Sequence, residues 1–283
     1  MLCPLAGGGR GTLEVLLPAL GGQTAGATVL DLFGHEIVAG FGLVDGGGTA
    51  IVEAAQISAV GGNRGDCGDP IGSSFGVGQL VAAAVDAGAE VVVLACGDCA
   101  GCDGGAGAVD AIAAGGGLRG AALVLLCDER TPWERARCGA AGAQRLRELA
   151  PRMRRDPRGV PMTAAGGGLA GGLWAQFDAQ LVSGPAFVLE ELGFDARMRA
   201  SRALVVGEAR LDAGTLAGRV AGEAAIRARQ VGVPCHAVAA HAAIAPFDVR
   251  ILDLQAIVEA APTCGEDPAA ALAAAGERLA ALL

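Results

Sequence analysis

The chain contains no lysine and no tyrosine, only three histidines, and aromatic residues make up 3% of it. Without lysine there is no P-loop, because the pattern Gly-x4-Gly-Lys-Ser/Thr needs that side chain at the nucleotide phosphates; any cation that meets phosphate here is an arginine. The histidines, His35, His236 and His241, are scattered, and no Ser-His-Asp set can be argued from them; each reads as structural. No apolar run approaches the length of a membrane span. The opening MLCPLAGGGRGT has no basic region followed by an apolar stretch, so no signal peptide is expected. Positive charge is also short: the net charge is −9 and the pI about 4.9. Neither nucleic acid nor an anionic membrane is therefore expected as a partner, and the chain reads as a cytoplasmic protein handling small molecules.

What is present fits an ordinary globular α/β protein. The 283 residues are 52% hydrophobic with a mean hydropathy of +0.47, enough for one large or two ordinary domains. Nine cysteines, an odd number in a chain without a secretion signal, read as reduced thiols. Glycine occupies 47 positions, far above a usual share of roughly 7%. It clusters at Gly7–Gly9, Gly46–Gly48, Gly104–Gly107, Gly115–Gly117 and Gly166–Gly172. Such clusters turn tightly or let the backbone approach a ligand.

Along the chain, Gly7–Gly9 opens a helical pattern carried by Leu13, Leu16, Leu17 and Leu20. No strand precedes that loop, so a fold that places a glycine loop after a strand would have lost its first strand. Ala27–Phe33 and Glu36–Leu43 read as strands around Gly34-His35, Thr49–Ala59 as a short helix and Val60–Pro70 as a loop. Ser74–Ala87 reads as a helix, Glu90–Ala95 as a strand, Cys96–Gly107 as a second glycine loop and Ala108–Ala114 as a helix. Ala121–Cys127 is a further strand. Trp133–Met153, Ala164–Phe177 and Ser183–Leu192 read as helices, with Arg152–Arg158 a solvated connector. Val249–Ile257 is ambiguous, and Pro268–Leu283 is an amphipathic helix with Leu272, Leu279 and Leu282 on one face.

Two stretches carry chemistry. Ser201–His241 forms a βαβ unit: a strand at Ala203–Val206, the loop Gly207–Asp212, a helix over Leu216–Gln230 and a strand at Cys235–Ala240. Parallel sheets bind ligands at the carboxyl ends of their strands, and this end presents Glu208, Arg210, Asp212 and Thr215. Asp212 or Thr215 would equally cap the helix of a solvated polar loop. The second stretch is Cys96–Gly105. Its Cys-x-x-Cys-x-x-Cys spacing matches thiolate ligation, but Ala106 stands where a fourth cysteine would be, and no histidine cluster completes a zinc site. The loop reads better as an anion-binding turn with no metal.

Taken together, these residues resemble the glycerate kinase type I family. Its Asp-Gly-Gly-Glu-Gly-Thr loop is matched by Gly7–Thr12, preceded by Pro4-Leu5-Ala6. Its Gly-Gly-Ser-Ala-Thr-Asn-Asp-Gly-Gly loop is matched by Gly97–Gly105, and its Gly-Glu-Gly-Arg-Leu/Ile-Asp-x-Gln-Thr motif by Gly207–Thr215. Thr49–Ala55 is similar to the family's Thr-Ala-Val-Ile-Glu helix and Gly166–Leu173 to its glycine-rich segment. The resemblance implies two α/β domains with the site between them. One is Rossmann-like, with a parallel sheet built from both chain ends, 1–22 and 196–283; the other is inserted over 23–195. It implies ATP and Mg²⁺ as cofactors and D-glycerate as substrate. Asp212 would be the base for the substrate hydroxyl or a metal partner, Arg210 the clamp on carboxylate or phosphate, and Asp103 would orient Mg²⁺ or substrate. Gly104, Gly105, Gly207, Glu208 and Thr215 would contact the nucleotide. Departures at Gly7, Arg10, Cys102 and Gly214 keep a second expectation open, a non-catalytic descendant that retains the fold and an anion pocket.

Overall fold

A computed structural model describes residues 1–58, 72–99, 101–260 and 267–282; the expected loop Val60–Pro70 lies outside them. The chain divides into two compact units, Met1–Leu192 and Gly193–Leu283.

The first unit opens with helix α1 (Thr12–Leu20) and the hairpin β1 (Gln23–Leu30) and β2 (Glu36–Val44). The Asp31 carboxylate closes the hairpin by accepting the N–H groups of Phe33 and His35 at 2.8 and 2.9 Å, and Gly34 takes a positive φ of 90° there. Next comes β3 (Thr49–Glu53), where a helix was expected. Its β-branched Ile51 and Val52 are buried between β2 on one side and β4 on the other, so pairing overrides the helical pattern. Helix α2 (Phe75–Asp86), β4 (Val91–Ala95), α3 (Ala106–Ala114) and β5 (Ala122–Cys127) follow as βα crossovers. The six strands lie in chain order; β3 to β6 run parallel and the hairpin is antiparallel.

The expected long helix after Trp133 is broken into a single 3₁₀ turn, a loop and α4 (Ala140–Leu149). Cys138 in that loop is disulfide-bonded to Cys102, and the buried Trp133 ring donates its N–H to the Leu146 carbonyl at 3.1 Å. Helix α5 (Leu169–Phe177) starts later than expected. It leads into β6 (Gln180–Ser183), a four-residue edge strand too short for a sequence signal, and α6 (Gly184–Glu191). In the connector, Arg154 and Arg155 pair with Asp178 and Arg155 stacks over Trp174 at 4.1 Å.

The main core lies where α2, α3 and α5 cover the sheet, around Leu80, Leu94, Ile112 and Leu173. A second cluster joins α1 to the sheet and α6 through Leu16, Val44, Ile51 and Val188. That burial of the α1 leucine stripe places residues 1–22 in the first unit, not with 196–283 as expected.

The second unit is built from the carboxyl-terminal residues alone: α7 (Phe194–Arg199), β7 (Leu204–Leu211), α8 (Ala213–Leu216), α9 (Val220–Val231), β8 (Cys235–Ala242), α10 (Pro246–Leu252), β9 (Leu254–Glu259) and α11 (Pro268–Ala280). Its three strands run parallel in the order β7-β8-β9. The ambiguous stretch resolves at Asp253, whose φ of 54° ends α10 and starts β9. No helix among the described residues is long and apolar enough to cross a membrane.

Candidate functional site

In the second unit, β7 runs to Leu211, so Gly207, Glu208 and Arg210 sit on the last turns of a strand and not in a loop. Pairing with β8 extends through Arg210↔His241 and Leu211↔Ala242, which holds them extended. Asp212 is the N-cap of α8 in a capping box with Thr215. Its Oδ1 accepts the Gly214 N–H at 2.8 Å and lies 3.1 Å from Arg219 Nη1. Its Oδ2 accepts Arg210 Nε at 3.0 Å. Arg219 also donates to the Arg210 carbonyl at 2.9 Å and lies 3.5 Å from Glu208 Oε1. Thr215 Oγ1 donates to Glu208 Oε2 at 3.1 Å and accepts the Asp212 N–H at 3.3 Å. The structure thus brings Glu208, Arg210, Asp212 and Thr215 together and adds Arg219 as the cation between the two carboxylates.

Their environments push the two acids apart. Burial drives the Glu208 carboxyl up and outweighs the Thr215 hydrogen bond and Arg219. Burial also pushes Asp212 up, but the Gly214 N–H, Arg219 and Arg210 together hold it below the ordinary carboxylate value. Asp212 is therefore ionised and its oxygens are engaged within the protein. Asp212 holds Arg210 by its Nε edge; the Arg210 side chain remains 59% exposed, and its Nη pair is the part left to meet an anion. Gly207 faces open space, with nothing within 4 Å of where a Cβ would stand.

In the first unit, the glycine loop after β4 has a different character from the one expected. Asp103 is 3% exposed, and its carboxylate accepts four hydrogen bonds. Oδ2 takes the Ser74 N–H and hydroxyl, both at 2.8 Å, and the Gly107 N–H at 3.1 Å; Oδ1 takes the Gly105 N–H at 3.0 Å. It joins the amino ends of α2 and α3, so most of its acceptor capacity is spent within the protein. Gly104 and Gly105 have positive φ, and a Cβ would stand 2.8 Å from the Trp133 ring at Gly104 and 2.9 Å from the Leu169 carbonyl at Gly105. Packing, without any phosphate, is sufficient to require glycine at both.

The sequence reading missed the carboxylates at the strand ends of this unit. Asp98, after β4, adopts a left-handed φ of 55° and accepts the Arg10 N–H at 3.1 Å. Asp128 follows β5; burial, then Glu129 and Asp98, push its carboxyl up to about 6. Glu53, at the end of β3, accepts the Leu13 N–H at 3.2 Å. The amino end of α1 is thus occupied by protein carboxylates, Asp98 and Glu53. Glu53 ends β3, Asp98 lies three residues beyond β4 and Asp128 one beyond β5, so acids at these strand ends were a readable signal.

The cysteines also differ from expectation. Cys102 and Cys138 are paired, with Cα atoms 5.9 Å apart, so they are not reduced thiols, and Cys102 is withdrawn from any thiolate set with Cys96 and Cys99. Burial pushes the Cys96 and Cys127 thiols up. Among the described residues no group of three or more His, Cys, Asp or Glu could hold a metal ion by itself.

Comparison with known proteins gives a consistent result. A profile of the glycerate kinase family matches residues 1–122 and 136–283. The chain is 28% identical to a glycerate kinase of Halalkalibacterium halodurans, over 84% of this chain and 75% of that one. It is 26% identical to a glycerate 2-kinase of Escherichia coli, over 77% and 70%. Among solved structures, it superposes on a candidate glycerate kinase 2 of Salmonella typhimurium LT2 with a TM-score of 0.69, at 25% identity, over 96% of this chain and 84% of that one.

Proposed function

The chain belongs to the glycerate kinase family, and from that premise we propose that it transfers the terminal phosphoryl group of ATP to a hydroxyl of D-glycerate. On this reading it works in the cytoplasm. The observation that carries the proposal is Arg210. It stands at the carboxyl end of β7, fixed at Nε by Asp212 and more than half exposed. A guanidinium held on one edge offers a fork to a carboxylate or phosphate.

Phosphoryl transfer passes through a loose transition state, so catalysis is mostly positioning and charge neutralisation. Arg210 clamps the anionic end of the acceptor. Asp212 is a positioning residue, because its oxygens are engaged by Arg210, Arg219 and Gly214. Glu208, with its carboxyl raised by burial, is the more basic acid of this cluster, and its oxygens face Thr215 and Arg219.

Mg²⁺ needs only one or two carboxylates alongside substrate phosphates. Glu208 and Asp212 do not fit it, since arginines already hold them. In the first unit, Asp98 and Asp128 do fit: their crowding of negative charge, which helps lift Asp128, is what a cation would relieve. When bound, the ion neutralises charge on the phosphates.

Isothermal titration of D-glycerate tests the reading. Saturable binding by the wild type, weakened about tenfold or more in Arg210→Gln, is expected from loss of a charge-assisted pair. Equal affinity in both proteins removes Arg210 from the site.

A further inference from the structure

We propose that the anion-binding end of this site continues across strand β8, with His241 as a second group contacting the ligand beside Arg210, for a ligand that carries a carboxylate or a phosphoryl group. The inference rests on Arg210 being the anion clamp. In sequence His241 is an isolated histidine. In the sheet it is not: Arg210 of β7 is the register partner of His241 of β8. Register partners in a parallel ladder lie on one face, with strands about 4.8 Å apart. The next partners back are Glu208 and Ala239, and Ala239 in turn faces Glu259 of β9. The small Ala239 side chain leaves the end of β8 uncrowded behind His241.

The third strand end fixes the ring. Glu259 Oε1 accepts the Ala242 N–H at 2.6 Å and stands 3.6 Å from His241 Nδ1. That separation is longer than a hydrogen bond and leaves the carboxylate beside the ring. Glu259 thereby takes the Nδ1 side, and Nε2 is the nitrogen left for a ligand, on a side chain that is 56% exposed. The other histidines are placed differently: His35 lies against Asp31 in the hairpin, and His236 is buried. The charged groups around His241 are Arg210, Glu208 and Asp212 from β7 and its end, and Glu259 from β9. Arg278 of α11 is hydrogen-bonded to the Glu259 carbonyl.

Three histidines make the test direct, because imidazole NMR signals in the full chain are few and His241→Gln identifies the one of interest. D-glycerate, inorganic phosphate and glycerol are titrated separately. The expected result is a saturable shift of the His241 signal with D-glycerate, with phosphate or with both, and none with neutral glycerol. A shift with D-glycerate alone identifies the carboxylate as the partner; a shift with phosphate alone identifies the phosphoryl group. His241→Gln should raise the KM for D-glycerate about three- to tenfold, with little change in kcat. If the wild type turns over D-glycerate while the His241 signal stays fixed at saturation, the subsite is wrong and the kinase reading stands. If nothing is turned over but phosphate moves the signal, the kinase reading fails and the subsite stands. An unchanged KM in His241→Gln also overturns the proposal.

Discussion

Replacing Asp103 by Asn should unfold the first unit more easily rather than disable chemistry alone. The carboxylate accepts from Ser74 twice, from Gly105 and from Gly107, all at 2.8–3.1 Å and all buried. An asparagine oxygen can keep the three bonds at the Oδ2 position. Its amide nitrogen then faces the Gly105 N–H, donor against donor. One orphaned buried N–H costs about 1–3 kcal/mol. The remaining bonds lose their charge assistance, worth roughly half their strength. The sum is about 3 kcal/mol, or a fall in Tm of about 6–12 °C for a unit of this size. Thermal and urea denaturation of variant and wild type, followed by circular dichroism, measures it. A Tm within about 2 °C of wild type, combined with lost activity, would refute the reasoning and return Asp103 to a ligand-facing role.

Other outcomes follow from the same geometry. Asp128 has its carboxyl raised from 3.8 to about 6, so the protonated form fits the fold better and stability is lost as pH rises through 6. The loss is at most about 2–3 kcal/mol, and Asp128→Asn should melt increasingly above wild type from about pH 4 to pH 6, with a constant margin above about pH 7; a difference independent of pH across that range contradicts this. Asp212→Asn keeps a cap for Gly214 but releases Arg210 and Arg219, and should lower kcat/KM about 10–100-fold, mainly through KM, with circular dichroism unchanged; equal rates would make Asp212 a cap only. The Cys102–Cys138 bridge closes a separation of 36 residues, so reduction should cost about 2–4 kcal/mol. Thermal melts with and without reductant should differ for wild type and coincide for Cys102→Ser; no difference in wild type would count against the bridge.

The sequence reading found the elements whose pattern is local. The leucine stripe of α1, the hairpin turn at Gly34 and the β7-α9-β8 unit all have periodicity and turn residues of their own. It failed where long-range pairing decides. Thr49–Glu53 is a strand only because β2 and β4 flank it, and β7 reaches Leu211 only because β8 pairs with it that far. The site divides the same way. Glu208, Arg210, Asp212 and Thr215 are close in sequence and were legible as a group. Arg219 reaches the group from the N-cap of α9, sheet register sets His241 beside Arg210, and Asp98 and Asp128 follow adjacent strand ends. Asp103 sits in a glycine loop, and its four buried donors come from segments up to 29 residues away in sequence, which no local pattern shows.

The most direct test of the central claim is phosphorus NMR of the wild-type protein with ATP, Mg²⁺ and D-glycerate, run beside Arg210→Gln and an enzyme-free control. The account predicts a phosphoglycerate resonance growing as ADP appears in the wild-type sample, and a rate at least tenfold lower in the variant at subsaturating D-glycerate. No phosphoglycerate above the control in the wild-type sample would contradict it.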